Sequence, residues 1–122
     1  MPKKEIEAAI QIQLVAYLEL VKNTYKFMFF SSPNEALGKA RTGAGIGRMA
    51  RLKRMGLRSG VADLIFVKEG RVFFLEMKQP KGRQSEHQRE FEADCAEHGA
   101  PYAVAYSFDE AIAILTAWGI LK

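Results

Sequence analysis

Two short apolar runs joined by a turn constrain the fold of this chain more than any other feature. The runs cover residues 63–67 and 72–78, and the four residues between them, Lys68-Glu69-Gly70-Arg71, are typical of a turn. Because both runs are apolar on both faces, the β-hairpin that they predict should be central in its sheet and covered on each side.

The remaining patterns place helices and further strands around this hairpin. An apolar stripe predicts a helix over residues 5–22, and an aromatic run predicts a strand over 25–30 that ends at the turn Ser31-Ser32-Pro33-Asn34. Glycines 43, 45 and 47 suggest a loop, which a short helix over 48–55 follows until Gly56 stops it.

Two capping boxes predict the helices of the second half. Ser85 to Gln88 opens a helix that closes at Gly99, a strand follows over 102–106, and Ser107 to Glu110 opens a last helix through residue 118. The link from 78 to 102 is long enough to connect parallel strands. The sequence therefore predicts an α/β fold with a mixed central sheet flanked by helices, in one domain that spans residues 1–122.

The register of the hairpin brings three ionisable side chains together. Whether the turn has two residues or four, Val67 faces Val72, so Asp63 lies directly across from Glu76. Lys78 points to the same face because strand side chains alternate. Opposed carboxylates repel each other unless a cation offsets them, and paired Asp and Glu oxygens suit Mg²⁺ or Mn²⁺. Lys78 could then orient or deprotonate an attacking water. The alternative is an ion pair of Lys78 with either carboxylate at a frayed hairpin end.

Basic residues are concentrated in one segment. Between Glu35 and Asp63 there is no acidic residue, whereas the rest of the chain has 11 basic and 14 acidic residues. Such segregation is expected of a protein that binds a phosphate backbone, although a solvated basic surface is the alternative. The seven basic residues of this segment are Lys39, Arg41, Arg48, Arg51, Lys53, Arg54 and Arg58.

These motifs resemble the PD-(D/E)XK nucleases. Gly60-Val-Ala-Asp63-Leu followed by Glu76-Met-Lys78 is similar to their signature, and the whole chain resembles the stand-alone VRR-NUC (virus-type replication-repair nuclease) domain. Further similarities are Glu7 with Gln11, the Ser-Pro-Asn34 turn, the basic run that ends at Gly60, and the helix start at Ser85. One departure is Ala62, which stands where a proline is usual. The resemblance implies a restriction-endonuclease-like αβββαβ core.

The resemblance also implies roles for individual residues. Asp63 and Glu76 would be metal ligands together with the backbone carbonyl of Met77, and Lys78 would be the catalytic lysine. Gln88 would be an accessory catalytic residue, and Glu7 would approach the metal or its water shell. Gln88 could instead only complete its capping box, Glu7 could be an acid in the first turn of a helix, and Asn34 could be a plain turn residue.

These features predict a metal-dependent DNA endonuclease, structure-specific on branched DNA such as four-way junctions or flaps. A sequence-specific restriction-type endonuclease and a non-catalytic DNA-binding module are the alternatives. Symmetric junction cleavage needs two active sites, so we expect a homodimer, with the last helix (Ile112, Leu115, Trp118) as its contact face or else packed on its own sheet.

Other partners and sites are not expected. No nucleotide cofactor is predicted, because the glycines at 43–47 lack the strand and the Gly-Lys-Ser/Thr of a phosphate-binding loop. His87 and His98 read as surface or packing residues. The lone Cys95 reads as a buried apolar residue that favours a reducing compartment. The absence of an apolar leader or a membrane-length run predicts an intracellular, cytoplasmic protein without a membrane partner.

Overall fold

A computed structural model describes residues 2–32 and 43–122 of the chain. These two segments contain four helices and four strands. In chain order they are α1 (Lys3–Tyr25), β1 (Met28–Ser31), α2 (Gly43–Arg54), β2 (Leu64–Lys68), β3 (Arg71–Met77), α3 (Glu86–Glu97), β4 (Tyr102–Ala105) and α4 (Phe108–Ala117).

The strands form one mixed sheet in the order β1-β2-β3-β4. β1 pairs with β2 and β2 with β3 in antiparallel fashion, whereas β3 and β4 are parallel. The hairpin β2–β3 is therefore central, as its apolar sequence predicts. Lys68 faces Arg71, and Glu69 and Gly70 both have positive φ (51° and 77°), so the turn has two residues.

Each face of the sheet is covered by helices. One face packs against α1 and α4 through a core that includes Leu14, Leu18, Phe66 and Leu115, all fully buried. The other face packs against α3, where the Phe91 ring meets Phe74 edge-on with the ring centroids 4.9 Å apart. Cys95 is buried in this second cluster, as predicted. The predicted α/β class and mixed sheet are confirmed.

The predicted boundary between the first helix and the first strand is wrong by several residues. α1 continues to Tyr25, because Tyr17, Val21 and Tyr25 extend its apolar stripe onto the core. The chain turns at Lys26, which has a φ of 60°, and β1 begins only at Met28. The helix also begins at Lys3, so Glu7 lies beyond its first turn. The alternative interpretation of Glu7 as an acid in the first turn of a helix is therefore wrong.

The glycine-rich stretch is not the predicted loop, because α2 already begins at Gly43. Glycine lowers helix propensity by about 1 kcal/mol relative to alanine but does not forbid a helix. The alanine, methionine, leucine and basic residues between and after these glycines favour one. The helix ends at Arg54, next to Gly56 with its φ of 105°. Asn34 and the Ser-Pro-Asn turn beyond Ser32 lie outside the described residues.

The two predicted capping boxes differ in outcome. Ser85 and Gln88 form both reciprocal hydrogen bonds of a capping box. Ser107 does accept the backbone N–H of Glu110, but the Glu110 carboxylate accepts the N–H of Tyr106 instead of that of Ser107. The second box is therefore only half formed, because the Glu110 carboxylate pairs with a different N–H.

The last helix packs on its own sheet. Leu115 is fully buried, and Ile112 and Trp118 lie against the same core. The Lys68 ammonium also donates to the carbonyls of Gly119 (3.0 Å) and Ile120 (3.2 Å), which fastens the end of the helix to the hairpin. The interpretation of this apolar stripe as a dimer face is therefore not supported. Among the helices of the described segments, none combines the length and apolarity needed to cross a bilayer.

Candidate active site

Asp63 and Glu76 lie opposite each other at one end of the central hairpin, as the register predicts. The β2–β3 ladder ends at the pair Leu64 and Leu75, and Asp63 and Glu76 are the next residues along the two backbones. The backbone N–H of Asp63 donates to Glu76 Oε1 (3.2 Å), and the N–H of Met77 donates to Asp63 Oδ2 (2.8 Å). The two carboxyl groups are thus held against one another by the backbone of both strands.

Burial makes this pair electrostatically costly. Glu76 is only 2% exposed and is the one charged residue buried in the part of the chain that the structure describes. Its burial, followed by the neighbouring charge of Asp63, raises the pKa of Glu76 to about 9. Burial also raises the pKa of Asp63, against the lowering effect of the Met77 N–H. A polar pair at this depth calls for a cation.

Lys78 supplies the positive charge nearest to the pair. Its Nζ lies 3.8 Å from Glu76 Oε2, and its side chain is 13% exposed. The charge of Lys78 lowers the pKa of both carboxyl groups, but it does not cancel the effect of burial. The Lys78 N–H donates to the carbonyl of Ala105 (2.9 Å), so β3 and β4 remain hydrogen-bonded past the strand end. The ion pair considered as an alternative exists, but not at a frayed end.

Gln88 combines the two roles that the sequence left as alternatives. Its Oε1 accepts the N–H of Ser85 (2.8 Å) and completes the capping box of α3. Its Nε2 donates to Glu76 Oε2 (2.8 Å). The side-chain amide therefore fixes the start of α3 and orients the Glu76 carboxylate at the same time.

Gly60 allows α3 to approach the loop that leads to Asp63. A Cβ atom at this position would lie 2.3 Å from the carbonyl oxygen of His87, and the φ of Gly60 is 83°. Any other residue would push the start of α3, and with it Gln88, away from β2. The sequence places Gly60 in the nuclease-like signature but does not reveal this packing role, since the contact partner is 27 residues away.

Glu7 reaches the rim of this site from α1. Its Oε1 accepts the N–H of Gln79 (3.3 Å), the residue after Lys78. Its negative charge also raises the pKa of Asp63. The structure therefore brings Glu7 close to the hairpin carboxylates.

Comparisons with known proteins bear on this geometry. The family model of the VRR-NUC domain matches residues 2–109 of the chain. The chain belongs to the VRR-NUC family. The family implies a nuclease fold and, in general, dependence on a divalent metal.

Two solved structures of VRR-NUC proteins share the fold. One, described as a VRR-NUC domain protein, is 21% identical with a TM-score of 0.67, and the match covers 90% of this chain and 84% of that one. The other, described as a VRR-NUC domain, is 18% identical with a TM-score of 0.57, and covers 87% and 94% respectively. Among curated proteins there is no match.

The donor set of this VRR-NUC domain fits a divalent cation. Within the described segments no three His, Cys, Asp or Glu side chains converge as a complete metal cage. Mg²⁺ does not require one, because it retains several waters and is bound by one or two carboxylates. Asp63 and Glu76 provide those carboxylates, and the charge repulsion described above is the physical evidence of fit. The Met77 carbonyl remains a predicted ligand.

The seven basic residues between Glu35 and Asp63 of the VRR-NUC domain fall into three groups. Exposed positions on α2 hold four of them, and two lie outside the described residues. Arg58 is engaged within the protein: its guanidinium lies 2.6 Å from Asp94 and covers the Phe91 ring at 5.1 Å from the ring centroid. The α2 residues are Arg48, Arg51, Lys53 and Arg54, and the two outside are Lys39 and Arg41.

Two further basic residues were not singled out from the sequence. Lys81 and Arg83 are exposed in the loop that follows Lys78. The run Lys78-Gln-Pro-Lys81-Gly-Arg83 is the signal that could have indicated them, because it directly follows the catalytic strand. His87 and His98 are exposed, and His87 Nδ1 lies 3.6 Å from a carboxylate oxygen of Glu90 rather than near the site.

Proposed function

We propose that the protein is a metal-dependent DNA endonuclease that hydrolyses phosphodiester bonds in branched DNA, such as four-way junctions or flaps, in replication, recombination or repair. The observation that carries this proposal is the pair of opposed carboxylates, the half-buried Asp63 and the buried Glu76, with the Lys78 ammonium 3.8 Å from Glu76. A protein that only bound DNA would gain nothing from two opposed carboxylates facing phosphate.

Each residue of the site has its own role in the proposed hydrolysis. Asp63 and Glu76, with the Met77 carbonyl, would hold Mg²⁺ or Mn²⁺, and Glu7 would act on its water shell. A bound cation supplies polarisation of a phosphate oxygen and a more acidic water. Lys78 positions the attacking water through its ammonium group and stabilises the charge that develops on the phosphoryl oxygens. Gln88 holds Glu76 in place through its 2.8 Å hydrogen bond.

The basic side chains position the substrate. The four basic residues of α2 are exposed, and the helix contains no acidic residue, so it suits the phosphate backbone. Lys39, Arg41 and Arg58 would extend this surface. The sequence of α2 contains neither Asn nor Gln, which are the usual readers of adenine. Recognition of DNA shape is therefore favoured over recognition of one sequence.

Symmetric cleavage of a four-way junction would require two copies of the site. We include a homodimer in the proposal, each copy being a single nuclease domain over residues 1–122 that acts in the cytoplasm. Its contact face would not be Leu115, which is buried. Sedimentation velocity with and without a four-way junction measures this directly, and a monomer in both conditions would contradict the dimer.

The first test is DNA cleavage. Labelled four-way junction, flap, single-stranded and linear duplex DNA are incubated with Mg²⁺, Mn²⁺ or EDTA. We expect metal-dependent cutting of the branched substrates by the wild type and none by Asp63→Asn, which keeps an acceptor for the Met77 N–H. Cutting of linear duplex at one defined sequence would instead select a restriction-type enzyme, and tight binding without cutting would select the non-catalytic module.

Lys78 is tested separately. Lys78→Met keeps most of the apolar stem and removes the charge, so we expect cleavage to slow by roughly 10²–10³-fold while DNA binding changes little. Arg83→Ala is the matched control, since it removes one positive charge from the following loop. An equal loss of binding and cleavage in Lys78→Met would contradict the catalytic role.

A further inference from the structure

An open cavity of about 400 Å³ lies beside the candidate active site, on the outer side of β2. Its walls come from the edge strand β1, from β2 and from the segment that follows α2. Phe30, Ile65 and Leu57 supply most of the apolar lining, and Arg58 and Ser32 contribute polar groups. No residue already assigned to catalysis lines it.

The cavity is continuous with the catalytic face of the sheet. Phe30 pairs with Ile65 across the two strands, so both side chains point to the same face. Asp63 precedes Ile65 by two residues and therefore points to that face as well. The N–H of Ser32 donates to the carbonyl of Asp63 (3.0 Å), which ties the cavity wall to the metal-binding residue.

The lining suits a flat, mostly apolar group that has a polar edge. Phe30 is 46% exposed, so part of its ring is free to contact a bound group. The Ser32 hydroxyl is buried and has no hydrogen-bond partner among the residues that the structure describes. Ser32 lines the cavity, so a rotation of its side chain would let a bound group pair with this hydroxyl and relieve the cost of its burial.

The charges around the cavity identify the class of molecule that carries this group. The acid-free helix α2 leads into the cavity through the segment 56–61, and it presents four exposed basic residues. Arg58 stands in the cavity wall, held by its contact with Asp94. An aromatic platform next to a basic surface is how proteins bind unpaired bases of a nucleic-acid strand.

We propose that this cavity holds one unpaired nucleobase of the DNA strand whose scissile phosphate lies at Asp63 and Glu76. The base stacks on Phe30, and its polar edge reaches the Ser32 hydroxyl. This inference rests on the proposed function and deepens it, since it explains how a domain without a base-reading helix selects branched DNA. A paired base cannot enter the cavity, whereas an unpaired base at the branch point of a flap can.

The test is a binding cycle in EDTA, where cleavage does not occur. Flap substrates carry either a normal base or an abasic residue at each of the three unpaired nucleotides nearest the duplex. We expect removal of one of these bases to weaken wild-type binding roughly ten-fold. Phe30→Ala should bind both substrates equally. Met28→Ala is the matched control, because Met28 lies on the same face of β1, is 56% exposed and is outside the cavity.

The outcomes separate this inference from the proposed function. If the abasic penalty persists in Phe30→Ala, or is absent from the wild type, the base site is wrong even when the enzyme cuts flaps with Mg²⁺. If the penalty depends on Phe30 but no metal supports cutting, the base site stands and the nuclease proposal fails.

Ser32→Ala gives an independent measurement on the same site. The hydroxyl makes no hydrogen bond within the described structure, so its removal should leave the melting temperature unchanged or raise it. We expect this variant to lose preference among the four bases at the sensitive position while it retains the abasic penalty. Unchanged base preference would exclude Ser32 from base contact.

Discussion

At the scale of single residues, the carboxyl groups of Asp63 and Glu76 lie where water screens their charges poorly. The pKa of Glu76 is raised from about 4.5 to about 9, and that of Asp63 is raised as well. At a pH between 4.5 and about 9, Glu76 of the folded chain retains a proton that the unfolded chain has released. Raising the pH through this range therefore favours the unfolded state of the metal-free protein.

We expect the melting temperature in EDTA to fall as the pH rises from 5 to 9. Each pH unit within this range costs at most about 1.4 kcal/mol for one such group. Thermal melts followed by circular dichroism at half-unit pH intervals measure the slope. A melting temperature that rises steadily over this range would contradict the assigned burial of Glu76.

Asp63→Asn should make the metal-free protein more stable at pH 8 while it abolishes cleavage. The variant removes the negative charge that raises the pKa of Glu76, and it keeps an oxygen for the Met77 N–H. The expected gain is at most about 1.4 kcal/mol for each unit by which the pKa of Glu76 falls below 8. Urea titration at pH 8 measures it, and a loss of stability would show that the charge repulsion is not what dominates here.

Magnesium should restore the stability that the wild type loses at high pH, and it should have no such effect on Asp63→Asn. A ligand at ten times its dissociation constant stabilises the folded state by about 1.4 kcal/mol, and 1 kcal/mol shifts the melting temperature of a domain this size by about 4 °C. We expect such a rise on addition of Mg²⁺ at pH 8, and none for Asp63→Asn. Equal shifts in both proteins would place the cation elsewhere.

At the scale of secondary-structure elements, the close approach of α3 to the loop before β2 determines where Gln88 lies. Gly60→Ala introduces a Cβ 2.3 Å from the His87 carbonyl oxygen and strains a φ of 83°. Gly70→Ala strains a similar φ of 77° in the hairpin turn, with no atom within 4 Å of the new Cβ. The pair of variants therefore separates the contact from the backbone strain.

We expect Gly70→Ala to lose about 1–2 kcal/mol of stability and to retain cleavage. Gly60→Ala should lose more stability and most of its cleavage, because the start of α3 must move. Urea titration and flap cleavage on both variants measure this. Equal losses in the two variants would mean that the contact with His87 does not position the site.

The elements that sequence predicts well are those with redundant signals. The hairpin register followed from apolar strands on both sides of a two-residue turn, and the start of α3 followed from Ser85 and Gln88. Prediction failed where tertiary packing, the helix propensity of neighbouring residues or a competing hydrogen bond determined the structure. Packing of Tyr25 extended α1, and the residues around three glycines favoured the helix α2. The Tyr106 N–H donates to the Glu110 carboxylate, which prevents the second capping box from closing.

At the scale of the whole molecule, the site joins residues that are far apart in the chain. Sequence spacing could predict Asp63, Glu76 and Lys78 because they share one hairpin. The contacts of Glu7 with Gln79 and of Gln88 with Glu76 depend on how α1 and α3 pack, which no local pattern specifies. Resemblance to a family supplied these two residues, and the structure brings both close to the hairpin.

The charge segregation makes a prediction for the molecule as a whole. Arg51→Gln with Arg54→Gln should weaken binding of all DNA substrates alike, and reduce the slope of log affinity against log salt by about 2. Lys26→Gln with Lys122→Gln removes the same charge from exposed positions outside the acid-free segment and should change the slope less. Titration from 50 to 300 mM salt distinguishes them, and equal slopes would contradict the assignment of α2 to DNA.

The double use of Gln88 has a consequence for how variants of this protein are to be understood. Ser85 would touch neither DNA nor a metal, yet its N–H donates to the Gln88 side chain that holds Glu76, and its hydroxyl accepts the backbone N–H of Gln88. A change at this helix cap would be expected to leave an abundant, folded protein with a disordered nucleolytic centre. A genetic screen for loss of activity would then recover substitutions at position 85 together with those at catalytic positions. Natural selection would act on this helix cap as it acts on a catalytic residue.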